Sequence, residues 1–187
     1  MCICIVAKLT TGFLPEGAEI QAINLTEIIE AYGMAILKYC HSILYDYHEA
    51  QDAAQITFVK AYTKGYLYKA KGGISPWLYK IAYNTCLDIL RKKKFVVLTD
   101  SLPEGSYEMP DISLSEELKA AFLTISPTDR ALVYSRVINE MDYKELSIVY
   151  GASVSALQKR YERAKKKLAK AIIASRKAEG SSGNGEG

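Results

Sequence analysis

Apolar residues recur at helical spacing along most of the chain, and no run of alternating apolar and polar residues bounded by turns indicates a β-hairpin. The pattern predicts an all-α protein. A first helical block covers residues 25–94, with the Gly72-Gly73 pair marking an internal loop. A second helical block covers residues 113–177. The sequence therefore predicts two small helical domains.

The segments outside these two blocks lack helical spacing. Residues 95–112 contain two prolines, four acids and no basic residue, so we expect an acidic linker between the domains. Residues 1–24 are interpreted as an N-terminal extension. Residues 178–187 are rich in glycine and serine, and we expect this tail to be disordered.

Helix starts in the second block are marked by polar residues that stand three positions before an acid. Such pairs can satisfy the unbonded amide groups at the beginning of a helix. The pairs are Ser113 with Glu116, Ser126 with Asp129, and Asp142 with Glu145. Three capped starts within about 30 residues predict short, sharply bounded helices, as in a compact bundle.

Residues 142–170 have the pattern of a helix-turn-helix motif. A short helix is expected from Tyr143 to Tyr150 and a longer one from Val154. Gly151 suits the left-handed position that ends a helix, and Ser153 can cap the helix that follows.

The second helix of this motif has an apolar stripe and a basic face at 3.6-residue spacing. The stripe consists of Val154, Leu157, Tyr161, Ala164, Leu168 and Ile172. A helix anchored on one side and basic on the other suits insertion into the DNA major groove. The alternative is an ordinary surface helix with a solvated basic face. The candidate DNA-facing residues are Ser155, Ala156, Lys159, Arg160, Arg163 and Lys166.

A further helix is predicted from Ser75 and Pro76 to the basic run that ends at Lys94. One side is apolar, and the other carries Trp77 together with polar and basic residues. An exposed Trp with cations and an amide suits the binding of strand-separated DNA. In the alternative interpretation, Trp77 closes the hydrophobic core. The candidate residues for single-stranded DNA are Trp77, Lys80, Asn84 and Arg91.

Composition narrows the function further. The net charge of +3 is too small to indicate nucleic-acid binding by itself, and the four cysteines lack the paired spacing of a zinc site or a disulfide framework. Only two histidines are present, and no phosphate-binding loop or nucleophile motif is found. The apolar opening is too short to span a bilayer. We therefore expect a cytoplasmic, non-enzymatic protein with no metal, no cofactor and no stable membrane insertion.

Three segments of the chain resemble, in order, the conserved helices of one protein family. They are EAQDAAQITFVKAY, WLYKIAYNTCLDILR and MDYKELSIVYGASVSALQKRYERAKKKL. They resemble the core-binding helix, the minus-ten helix and the minus-thirty-five helix-turn-helix of the extracytoplasmic-function group of sigma-70-type sigma factors. The resemblance covers residues 25–170. It implies a protein that binds bacterial RNA polymerase core and directs promoter recognition and transcription initiation.

The resemblance also implies partners and residue roles. Lys80, Asn84 and the loop from Gly72 to Ser75 would bind the unpaired minus-ten strand, and the helix from Val154 the minus-thirty-five duplex. An anti-sigma factor is an expected further partner. The residues expected to contact the clamp helices of the polymerase's largest subunit are Glu49, Asp52, Gln55 and Phe58.

Some positions depart from the family pattern and leave an alternative open. Gln51 and Ile56 stand where the family usually has acids, and Ala156 and Gln158 where it often has Thr and Lys, so we expect weaker binding to the polymerase core. The alternative function is a free-standing helix-turn-helix regulator that does not join polymerase. In such a regulator the first block would serve dimerisation or ligand sensing.

Overall fold

The computed structural model describes residues 25–65, 73–96 and 116–181. The predicted N-terminal extension, almost all of the acidic linker, Gly72 and the cap at Ser113 lie outside these ranges. All regular secondary structure in these ranges is helical, which confirms the predicted all-α class.

Seven helices are found in the described ranges, three in the first block and four in the second. α7 continues through Ser181, into the segment where the sequence predicts a disordered tail. The helices are α1 (Leu25–Leu44), α2 (Tyr47–Thr63), α3 (Ile74–Val96), α4 (Glu116–Leu123), α5 (Pro127–Val137), α6 (Tyr143–Tyr150) and α7 (Val154–Ser181).

Local capping interactions fix the helix boundaries in the second block. Ser126 accepts a hydrogen bond from the amide of Asp129 before α5. Asp142 Oδ1 accepts bonds from the amides of Lys144 and Glu145, at 2.7 and 2.8 Å, and the Glu145 carboxylate accepts the Asp142 amide at 2.8 Å. Gly151 ends α6 with φ of 62°, in the left-handed region. The capping predictions for α5 and α6 are confirmed.

Replacing Asp142 with alanine is expected to lower the free energy of unfolding by about 1 kcal/mol, because two amide donors at the start of α6 lose their acceptor. Urea denaturation followed by circular dichroism measures this loss. Asp142→Asn keeps an acceptor oxygen and is the matched control, with a loss of only a few tenths of a kcal/mol expected. An equal loss in both variants would show that the charge of Asp142, rather than its acceptor, stabilises α6.

The interior of the first block forms where α1, α2 and α3 meet. Alanines on the inner side of α2 allow that helix to lie close to the large apolar side chains of α1 and α3. The fully buried residues are Ile36, Tyr39, Cys40, Ile43, Ala50, Ala53, Ala61, Leu78, Ala82 and Cys86.

The second block positions the helix-turn-helix on two buried clusters. Leu132, Leu146 and Leu157 lie in the larger one, and Ala164 and Leu168 pack with α4 and α5 in the smaller one. The predicted apolar stripe of α7 is therefore largely buried. Val154, the first residue of the stripe, is the exception.

Val154, predicted to be buried, is 37% exposed. It is the first residue of α7, where only the three-residue turn precedes it. The helical spacing assigns it to the inner stripe, but the stripe meets its packing partners only from Leu157 onwards.

The two blocks pack directly against each other. α1 lies against α5, and α3 lies against α6. Residues of both blocks form one continuous buried cluster. Tyr79 and Tyr83 of α3 are buried where the blocks meet, although the sequence interpretation assigned neither of them to a side of the helix.

Candidate nucleic-acid and partner surfaces

The basic face of α7 is presented to solvent by the buried stripe beneath it. Ser153 accepts a hydrogen bond from the amide of Ala156 at 3.3 Å and caps the helix at the end nearest the turn. A shallow depression on this face is lined by Lys159, Glu162 and Arg163, among others. The exposed members of the predicted DNA-facing set are Ser155, Ala156, Lys159, Arg163 and Lys166.

Arg160 differs from these residues, because its side chain forms hydrogen bonds within the protein. Its Nε donates to Asp129 Oδ1 at 2.7 Å, and its Nη2 donates to the hydroxyl of Thr128. The Arg160 side chain is 33% exposed and that of Asp129 is 15% exposed. Arg160 therefore joins α7 to the start of α5.

The protonation of Asp129 reflects this contact. Burial by itself raises the carboxyl pKa, but hydrogen bonds from Arg160 and Ser126 outweigh it and hold the pKa of Asp129 below its usual value. A carboxyl group whose pKa is lower in the folded than in the unfolded state stabilises the folded protein at pH values above its unfolded pKa. This stabilisation is lost as the pH falls through the folded-state pKa. The Asp129 carboxylate that Arg160 contacts is thus ionised at neutral pH.

The polar side of α3 forms a second exposed surface. Lys80, Asn84 and Arg91 are exposed, whereas Trp77 is half-buried and packs at the edge of the core. Arg91 donates to Asp88 at 2.9 Å and lies at the rim of a cleft between α3 and the start of α5. Trp77 therefore packs against the core and remains partly exposed.

A third surface, the α2 outer face, consists of Asp52, Gln55, Ile56, Val59 and Tyr62. The last three are large apolar side chains that are 41%, 49% and 47% exposed. Their spacing places them on the side of α2 opposite its buried alanines. Exposed apolar residues grouped in this way mark interaction sites on soluble proteins. The sequence interpretation named Asp52 and Gln55 as contacts, treated Ile56 only as a departure from the family pattern, and missed Val59 and Tyr62.

The remaining two residues of the predicted polymerase-contacting set are less accessible. Phe58 is only 6% exposed and packs in the core beneath the α2 outer face. Glu49 Oε1 pairs with Lys93 of α3 at 2.6 Å, and its Oε2 is buried without a hydrogen-bond partner among the described residues. Phe58 and Glu49 thus support this part of α2 from within.

The residues that the structure describes contain no cluster of three or more side chains suited to holding a metal ion. Within the same ranges, no helix is both long enough and apolar enough to cross a bilayer.

Two family models match the chain. Sigma-70 region 2 matches residues 28–96, and Sigma-70, region 4 matches residues 115–168. The first match covers α1, α2 and α3, and the second covers α4 to α6 and the first half of α7. The two matches follow the division into two helical blocks.

Curated proteins of similar sequence are named as RNA polymerase sigma factors. RNA polymerase sigma factor YlaC of Bacillus subtilis is 27% identical over 166 residues, covering 83% of this chain and 96% of the relative. RNA polymerase sigma-H factor of Pseudomonas aeruginosa is 30% identical over 166 residues, covering 76% of this chain and 86% of the relative. ECF RNA polymerase sigma factor SigW of Bacillus subtilis is 26% identical over 78% of this chain and 87% of its own length.

Solved structures share the fold. The sigma factor RpoE in complex with the anti-sigma factor NepR, from Bartonella quintana, matches with a TM-score of 0.66 at 18% identity, covering 80% of this chain and 97% of that one. CnrH in complex with the cytosolic domain of CnrY matches with a TM-score of 0.58 at 20% identity, covering 80% of this chain and 88% of that one.

Proposed function

The chain belongs to the sigma-70 family of RNA polymerase sigma factors, in its extracytoplasmic-function group, and we propose that it divides promoter recognition among the three surfaces described above. The α2 outer face binds the polymerase core. The polar side of α3 binds the unpaired minus-ten strand, and the basic face of α7 binds the minus-thirty-five duplex.

The observation that carries this proposal is the exposed α2 outer face. Ile56, Val59 and Tyr62 expose apolar surface next to Asp52 and Gln55. Binding to DNA requires cations rather than an acidic and apolar helix face. A free-standing regulator would bind DNA through α7 and would use this face, if at all, for dimerisation. The α2 outer face therefore favours a protein partner, and membership of the family identifies that partner as core polymerase.

The two DNA-binding surfaces suit different states of the promoter. Ser155 and Ala156 lie at the start of α7, the end of a recognition helix that meets base edges, while Lys159, Arg163 and Lys166 extend the contact to phosphates. On α3, Trp77 supplies an aromatic surface for stacking, and Lys80 and Asn84 supply a cation and an amide beside it. Binding of exposed bases stabilises the open promoter.

Catalysis stays with the polymerase in this proposal. The chain supplies binding and orientation, needs no cofactor, and acts in the cytoplasm with the transcription machinery. An anti-sigma factor that covers one or both domains is a further proposed partner. It is supported by the fold shared with RpoE, whose structure was solved with an anti-sigma factor.

The direct test is in vitro transcription with sigma-free bacterial core polymerase and genomic DNA from the source organism. New RNA start sites that depend on the added protein and share upstream motifs would support the proposal. Binding to DNA without association with core, and without new starts, would favour the free-standing regulator.

Replacing Asp52 and Gln55 together with alanine is expected to weaken binding to core polymerase about tenfold or more, since each side chain supplies polar contacts at the centre of the α2 outer face. Fluorescence anisotropy of the labelled protein titrated with core measures the change. Glu30→Ala removes an exposed acid from α1 and is the control. Equal affinity for the double variant and the control would contradict the assignment of this face.

A further inference from the structure

The first turn of α7 has little capacity to distinguish one base pair from another. The Ser155 hydroxyl lies 3.3 Å from that of Ser153, with which it shares a hydrogen bond, and the short side chain of Ala156 can at most contact a thymine methyl group. Strong discrimination among base pairs comes from side chains that make directed hydrogen bonds to a base edge. Residues further along α7 are therefore needed to supply it.

Gln158 and Glu162 stand out on the basic face of α7 because neither of them is a cation. They are four positions apart, so they lie on the same side of the helix, about 6 Å from each other along its axis. Both side chains are exposed, and both line the shallow depression that also contains Lys159, Arg163 and Lys166. An amide and a carboxylate thus face the same space as the cations proposed to hold the duplex.

Glu162 is the only acid between Val154 and Lys177, in a stretch rich in lysine and arginine. Its Oε1 accepts a hydrogen bond from Lys165 Nζ at 3.0 Å, but this ion pair is exposed and stabilises the helix little. The pair leaves the second carboxylate oxygen available for another donor.

A carboxylate on a helix that approaches DNA is repelled by the phosphates. It therefore lowers the affinity for DNA unless a base offers it a donor. In the major groove, the amino group at N4 of cytosine is the donor that a carboxylate accepts from. Glu162 therefore favours cytosine over bases that present only acceptors at this position.

The Gln158 amide suits adenine. A glutamine side chain can accept from N6 and donate to N7 of the same adenine, which makes two hydrogen bonds at once. The Gln158 amide makes no hydrogen bond with the residues that the structure describes, so it is available for such a contact. Because the amide is uncharged, it adds little attraction to the phosphates, and its contribution depends on the base that it meets.

We propose that Gln158 and Glu162 are the specificity-determining residues of α7, with Gln158 selecting adenine and Glu162 selecting cytosine in the minus-thirty-five element. The proposal rests on the function proposed above. It assigns two tasks to the exposed face of α7, because Lys159, Arg163 and Lys166 bind phosphates of any sequence whereas Gln158 and Glu162 depend on the base. Each of the two contacts is expected to favour its base by about fivefold to a hundredfold.

The experiment selects bound DNA from a pool of random-sequence duplexes and sequences the selected molecules. The full-length chain is used both free and together with sigma-free core polymerase. Gln158→Ala and Glu162→Ala each remove one proposed base contact, and Glu162→Gln replaces the carboxylate with an amide of similar shape. Lys166→Ala removes a proposed phosphate contact and is the control. Circular dichroism checks that each variant is folded.

The wild type is expected to select a motif that contains an adenine and a cytosine, each preferred by about fivefold or more. Gln158→Ala should lose the preference for that adenine and keep the rest of the motif, and Glu162→Ala should lose only the preference for the cytosine. Glu162→Gln should change the preferred base at that position from cytosine to adenine. Lys166→Ala should weaken binding to all sequences alike and leave the motif unchanged.

The same base preferences in the wild type, Gln158→Ala and Glu162→Ala would overturn the proposal. A uniform loss of preference at every position would also overturn it, because residues that only orient α7 affect the whole motif.

The two forms of the selection separate this inference from the proposed function. If the free chain shows the expected base changes but does not associate with core polymerase, base reading by α7 stands and the proposed function is what fails. If the chain with core selects promoters that support transcription, and the variants select the same motif, the function stands and only this inference is overturned. A wild type that selects no motif in either form would overturn both.

Discussion

Replacing Lys159 and Arg163 together with alanine is expected to weaken binding to minus-thirty-five duplex DNA by about 2–5 kcal/mol, because two exposed cations leave the basic face of α7. The plot of log affinity against log salt concentration should also lose a slope of about 1 for each phosphate contact removed. Fluorescence anisotropy with a labelled duplex, repeated at several salt concentrations, measures both quantities.

Lys64→Ala, at an exposed lysine after α2, is the control for a general change of charge. We expect its affinity and salt slope to match those of the wild type within error. An unchanged slope in the double variant would contradict the placement of α7 against phosphates, even if the affinity fell.

Replacing Leu157 with alanine is expected to lower the free energy of unfolding by about 2–5 kcal/mol, because a fully buried side chain at the centre of the helix-turn-helix leaves a cavity. The midpoint of urea denaturation should fall with little change in its denaturant dependence. Loss of this anchor should also reduce DNA binding, since Leu157 packs α7 into the larger buried cluster beneath the helix-turn-helix.

Val154→Ala is the matched comparison on the same helix. Val154 belongs to the same sequence stripe but is exposed, so we expect a loss of less than about 1 kcal/mol. Losses of similar size at the two positions would show that the start of α7 is packed as tightly as its middle.

The helix-turn-helix could be predicted from the sequence because its signals are local. Asp142, Gly151 and Ser153 act on amides or backbone angles within three residues of themselves, and α6 begins and ends at the predicted positions. Short-range geometry of this kind is independent of how the two blocks pack. The exposed basic face of α7 follows from the same helical spacing.

Features that depend on residues far away in the sequence could not be predicted from the sequence. Arg160 stands beside Lys159 in the sequence, and helical spacing alone places both toward DNA, but the acid that holds Arg160 lies 31 positions earlier on another helix. Tyr83 was assigned to neither side of α3, and it is buried where the Tyr150 ring of the second block packs against it. Phe58 was assigned to a partner from the family pattern, although the packing of α2 places it in the core.

The two ends of α7 lie far apart, and they serve different functions in the second block. The proposed base-contacting positions lie near Ala156, whereas Arg176 pairs with Glu117 of α4 at 2.7 Å. These positions are 20 residues apart, or about 30 Å along the helix axis. The chain arriving from the first block therefore joins the second block far from the end of α7 that is proposed to meet the bases. We therefore expect changes in the length of the connecting segment to alter the promoter spacing that is tolerated while the sequence preference of α7 stays the same.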